Sequence, residues 1–168
     1  MDTDVPQMAE NAIAWAKAHL DSTAYATRCL AFVEDAIERS NNLEMFGGDY
    51  AAESAQMYGA AHNIGEPPRG ALVFYDGEGV IFGGRRNWGH VGLSLGDGTL
   101  IHAWDRVRID PYGTLESLTP APGWGPLRRA GWVTLSRALE GSHPKTYADD
   151  DAGVVAAEMQ QQRFGDSR

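Results

Sequence analysis

Cys29 is the single cysteine among 168 residues, so its chemistry is that of a lone thiol. No intramolecular disulfide can form, and a structural zinc site built on several cysteines is excluded. A thiol attacks carbonyl carbon only as thiolate, and two surroundings favour that anion: a helix N-terminus and a neighbouring imidazolium. Cys29 is placed to receive both. It opens the apolar-periodic run Cys29-Leu-Ala-Phe-Val-Glu-Asp-Ala-Ile, and His90 and His102 stand 12 residues apart in a segment that reads as a hairpin. The turn Gly96-Asp97-Gly98 centres that hairpin. Pairing around it puts His102 close to Val91 or Gly92, so both histidines can share a face. His90 is then the expected general base, and His102 the group that fixes its tautomer and orientation. Residue types alone leave other readings open. Paired histidines are often structural, a lone cysteine is often a small buried hydrophobe, and one Cys with two His can hold a zinc ion with water as fourth ligand.

The elements that must position these side chains follow from periodicity and turn residues. Met8 to Leu20 reads as an amphipathic helix through Ala9, Ile13, Ala16 and Leu20. A second helix is expected from about Arg28 to Ser40, with Thr27 as N-cap and Leu30, Val33 and Ile37 as its apolar stripe. Residues 41–49 read as a loop, and a weaker helix covers about Tyr50 to Ala61, capped near Asp49. After Gly70 the pattern becomes strand-like. Strands are expected over 71–75, 90–95, 100–104, 106–110 and 131–135, with a Gly-rich excursion over 77–87. Helices first and an antiparallel sheet second define an α+β fold. One domain is expected over residues 1–139, with a polar tail over 140–168 in which Asp149 to Arg163 is a candidate helix.

A hydrophobic fraction of 43% against 22% charged residues fits one ordinary globular domain. No run approaches the ~20 apolar residues of a membrane helix. The net charge of −9 argues against nucleic acid and anionic membranes as partners. The acidic start Met1-Asp-Thr-Asp lacks a basic n-region and an apolar h-region. No standard secretory signal is therefore expected. The expectation is cytoplasmic synthesis, compatible with export by a specialised route or release by lysis. The glycines of 77–84 lack the strand–loop–helix setting of a phosphate loop, and no cofactor is expected.

Three segments resemble the NlpC-type family of cell-wall cysteine peptidases, a group related to the CHAP amidase-peptidases. They are Tyr25-Ala-Thr-Arg-Cys-Leu-Ala-Phe-Val, Pro67-Pro-Arg-Gly-Ala-Leu-Val-Phe-Tyr, and Gly89-His-Val-Gly-Leu-Ser-Leu-Gly-Asp-Gly-Thr-Leu-Ile-His-Ala. The resemblance spans about residues 9–110. It implies a papain-like fold, with Cys29 as nucleophile at a helix start, His90 as base and His102 as third triad member. It implies hydrolysis of amide bonds in peptidoglycan stem peptides through a thioester, without metal or organic cofactor. It also implies that Tyr25 and the residue before the cysteine border the substrate. Where the family has Asp-Cys-Ser-Gly this chain has Arg28-Cys29-Leu30-Ala31, which removes an acidic partner for a substrate amine. Trp88 and Trp104 flank the two histidines and are candidate walls of the substrate groove. A transferase using the same triad, or a non-enzymatic binder of the same fold, remain the alternative readings.

Overall fold

Residues 4–148 and 157–162 are described by the structure, a computed structural model. Helix α1 runs over Val5–Lys17, earlier than its apolar spacing suggests. Asp4 caps it through the Gln7 amide and a proline stands in its first turn, where the missing N–H costs nothing. It buries Ala9, Ala12, Ile13 and Ala16, while Leu20 lies beyond its end and is exposed. Helix α2, Cys29–Asn41, buries Leu30, Phe32, Val33, Ala36 and Ile37 and packs against α1. Its N-cap corrects the expectation. Arg28 holds that position without a side-chain cap bond, and Thr27 sits in the left-handed region at φ 65°. From there its hydroxyl makes no cap.

The expected loop after α2 contains a two-residue strand β1, Leu43–Glu44. The third helix, α3, is shorter than expected, Ala51–Tyr58. Gly59, at φ 74°, ends it in a left-handed cap, and a single 3-10 turn follows over Ala60–His62. The strands are β2 (Leu72–Asp76), β3 (Glu78–Ile81), β4 (Gly84–Asn87), β5 (His90–Ser94), β6 (Thr99–Ala103), β7 (Val107–Pro111) and β8 (Arg128–Val133). The Gly-rich excursion is thus the β3–β4 hairpin. A short helix α4, Leu135–Ala138, and strand β9, His143–Pro144, complete the described elements apart from a 3-10 turn over Tyr112–Ser117 and helical residues 157–162.

The central sheet is antiparallel, in the order β7-β6-β5-β2-β8. Both its faces are covered. Leu72, Phe74, Val91, Leu93, Ile101 and Ala103 enter the core shared with the helices, whereas Val73, Tyr75 and Leu100 pack with Tyr112, Leu115 and Leu127 on the other side. Two-sided burial explains why Ala71-Leu-Val-Phe-Tyr is apolar without alternation. Each such side chain contributes about 1.5–3 kcal/mol by leaving water, so β2 is a rigid reference for the strands beside it. The fold is the expected α+β one, with the cysteine-bearing helix packed on an antiparallel sheet. The packed body extends past residue 139. Strand β9 pairs with β1, Lys145 Nζ bonds Glu44 at 2.6 Å, and the Tyr147 hydroxyl donates to the Leu43 carbonyl. Of the candidate helix over Asp149 to Arg163, only 157–162 lie within the described residues. Among the described residues no helix is long and apolar enough to cross a membrane.

Candidate active site

Cys29 is the first residue of α2. The backbone amides of Cys29, Leu30 and Val91 all reach its sulfur and favour the thiolate. Burial outweighs them and pushes the thiol up to about 11. The expectation from sequence is a thiolate favoured by the helix start and a neighbouring imidazolium; burial opposes both charges. With these three backbone donors within reach and desolvation against it, Cys29 keeps its proton at neutral pH.

The start of β5 is fixed by close packing. The Ala52 amide donates to the Trp88 carbonyl. At Gly89, φ 72°, a Cβ would come within 2.7 Å of the Ala52 nitrogen, so only glycine lets α3 approach. His90 then opens the strand and pairs with Tyr75 of β2. Across the turn, Leu93 pairs with Ile101 and Ser94 with Leu100. Continuing that register sets His102 opposite Gly92, as the hairpin spacing predicts. Gly92 has no side chain there, and a Cβ would lie 3.1 Å from that of His102 and 2.3 Å from Leu100 Cδ1.

Both histidines are buried, His90 at 4% and His102 at 0% exposure. His90 Nε2 and His102 Nδ1 are 2.8 Å apart, with the rings perpendicular. Burial first, and the neighbouring His102 second, hold the His90 pKa well below its ordinary value. His102 is also lowered, by burial, against the opposing pull of Asp110. His102 Nε2 lies 2.8 Å from Asp110 Oδ2. Asp110, 7% exposed, accepts in turn from Arg108 Nε at 2.7 Å and Arg108 Nη2 at 3.3 Å. Sequence reasoning missed Arg108 and Asp110. Their signal was the alternation Arg108-x-Asp110 on the strand after the second histidine, which aims both side chains at one face. The pairs His102–Arg108 and Leu100–Asp110 make that face the histidines' own.

A cavity of about 900 Å³ has Cys29 and His90 in its wall, together with Arg28, Trp88 and Trp104. Trp104 stands edge-on to His90, with ring centroids 5.4 Å apart. Trp88 is buried, and its Nε1 donates to the carbonyls of Gly79 and Gly84, tying the β3–β4 hairpin to the cavity rim. Arg28 Nη1 donates to the carbonyls of Ala24 and Ala26, while its buried Nε has no hydrogen-bond partner among the described residues. Tyr25 departs from its expected place beside the substrate. It is buried, packs on Trp15 and Phe32, donates its hydroxyl to Asp35 Oδ2 at 2.6 Å, and is absent from the cavity wall. Residues 157–162 reach this region too: Gln160 Nε2 donates to the Thr27 carbonyl, and Met159 and Gln160 line the cavity. Among the described residues no cluster of three or more His, Cys, Asp or Glu side chains is arranged to hold a metal ion.

No curated protein matches the chain in sequence. Among solved structures, the peptidoglycan hydrolase RipB of Mycobacterium tuberculosis is similar over 78% of this chain and 68% of that one, at 18% identity and a TM-score of 0.44. The sequence model of the NlpC/P60 family matches residues 18–117, more than half the chain, a span that holds Cys29, His90 and His102. The chain belongs to the NlpC/P60 family.

Proposed function

We propose that the chain is a cysteine hydrolase that cleaves amide bonds in peptidoglycan stem peptides. The observation that carries this reading is the buried bond between His90 Nε2 and His102 Nδ1, made by a histidine that lines the same cavity as Cys29. It uses one ring nitrogen of His90 and leaves Nδ1 for a proton from the thiol. In this mechanism His90 Nδ1 takes the Cys29 proton as sulfur attacks the carbonyl carbon. The oxyanion accepts a hydrogen bond from the Cys29 backbone amide at the helix start. His90 then gives its proton to the leaving amine, and water hydrolyses the thioester. Burial disfavours both thiolate and imidazolium, so proton transfer and attack belong to one step.

Family membership and the peptide-sized cavity support the substrate class. The test is mass spectrometry of stem fragments released from purified peptidoglycan. Wild-type protein is expected to release fragments cut within the stem, and Cys29→Ala to release none while keeping its melting temperature. Equal release by both proteins would remove Cys29 from the mechanism. No cleavage by the wild type would overturn the substrate class.

A further inference from the structure

Beyond the Cys/His/His set, the hydrogen bonds continue to a fourth and a fifth residue. Arg108 has donors and no acceptors. Both Asp110 oxygens therefore accept, Oδ2 from Arg108 Nε and Oδ1 from Nη2. Oδ2 also faces His102 Nε2 at 2.8 Å, so that nitrogen must carry a hydrogen. In a neutral imidazole the other nitrogen is then a bare acceptor, and His102 Nδ1 accepts from His90 Nε2. His90 in turn has its hydrogen on Nε2 and an open lone pair on Nδ1. We infer that Arg108 and Asp110 are positioning residues that set the tautomers of both histidines and so leave His90 Nδ1 free to act as base.

The geometry suits this task. All four side chains share one sheet face through the pairs His102–Arg108 and Leu100–Asp110, and Asp110 and both rings are nearly closed to solvent. Water therefore has little access to supply a competing donor or acceptor. Burial holds both imidazoles neutral near pH 7, the condition under which a tautomer is a definite state. Without the carboxylate, the freed Arg108 guanidinium becomes the donor nearest His102 Nε2. That reverses the chain: His102 would carry its hydrogen on Nδ1, donate to His90 Nε2, and leave the His90 hydrogen on Nδ1, where no base remains.

The catalytic consequence rests on the function proposed above; the tautomers do not. The experiment is therefore ¹⁵N NMR of the histidine rings near pH 7.5 on the whole chain, alongside kcat and KM on a stem peptide. Wild type is expected to show both histidines protonated on Nε2. Asp110→Ala is expected to populate the Nδ1–H form of His90 and to lose about 10²-fold or more in kcat with KM unchanged. Asp110→Asn keeps an inward acceptor, because Arg108 Nε turns the amide oxygen toward itself and His102; it should retain the wild-type tautomers and lose less. Correct tautomers with no turnover in the wild type would overturn the proposed function and leave the relay standing. A wild-type His90 protonated on Nδ1, or an Asp110→Ala variant whose His90 stays in the Nε2–H form, would overturn the relay.

Discussion

A proposed nucleophile that keeps its proton and a proposed base that refuses one are reconciled when their surroundings are compared. Cys29 is raised and His90 is lowered by the same cause, burial, and each shift resists an isolated charge and not a charge pair formed during attack. Arg28 is the formal charge nearest to this pair in sequence, and it lines the same cavity. One of its terminal nitrogens is tied to the carbonyls of Ala24 and Ala26. A substrate ammonium beside it would meet a cation, whereas a carbonyl dipole or carboxylate would be attracted by its charge. Stem peptides whose amino end near the scissile bond is acylated or acidic should therefore react with higher kcat/KM than free-amine counterparts. Arg28→Asp should narrow or invert that preference. The measurement is kcat/KM on an N-acetylated and free pair with both proteins. A wild-type preference for the free amine would place the guanidinium outside the substrate path.

At the level of elements, the β5–β6 hairpin is the device that brings the two histidines together, and its register depends on a residue without a side chain. Gly92 stands opposite His102, and a methyl group there would press on Leu100 and on the Cβ of His102. Leu100 is buried and yields little, so the added volume should push His102 off its 2.8 Å bond to His90. Gly92→Ala is expected to cost about 1–3 kcal/mol in stability through overpacking. It should lower kcat by a larger factor than KM changes, read from thermal melts and steady-state kinetics together. A variant of unchanged kcat would show that the hairpin tolerates the methyl without moving the ring. The placement of Cys29, His90 and His102 was legible in the sequence because it is local: a helix start fixes one, and one hairpin turn fixes the other two. Asp110 was not, since its approach to His102 needs the β6–β7 register, which no turn between the two strands announces. Tyr25 failed for a related reason. Its side-chain direction is set by the loop before α2, where Thr27 adopts φ 65° and Tyr25 turns inward onto Trp15 and Phe32.

For the molecule as a whole, buried titratable groups impose opposed demands on stability. His90 and His102 have lowered pKa values in the folded state. The unfolded chain binds those protons more readily, so their contribution is present above the ordinary histidine value near 6.5 and is lost as pH falls. Glu38 acts the other way. Burial first, then the carboxylates of Asp35 and Glu44, push it from 4.5 up to about 7, against the pull of the Met45 amide and Lys145. The folded state then binds the Glu38 proton more readily than the unfolded one. Its contribution is complete below about 4.5 and is lost as pH rises through about 7. Glu38 accepts from the Met45 amide at 2.7 Å, a role a glutamine carbonyl can also fill. Glu38→Gln should therefore match the wild type near pH 4.5 and exceed it near pH 8 by roughly 1–2 kcal/mol, discounted for the partial exposure of the carboxyl. Melting temperatures from pH 4.5 to 8 read this directly: the gap between variant and wild type should open through the range where the carboxyl ionises. A gap that stays constant with pH would mean that Glu38 titrates alike in the folded and unfolded chains, and that its hydrogen bond to Met45 offsets its burial in full.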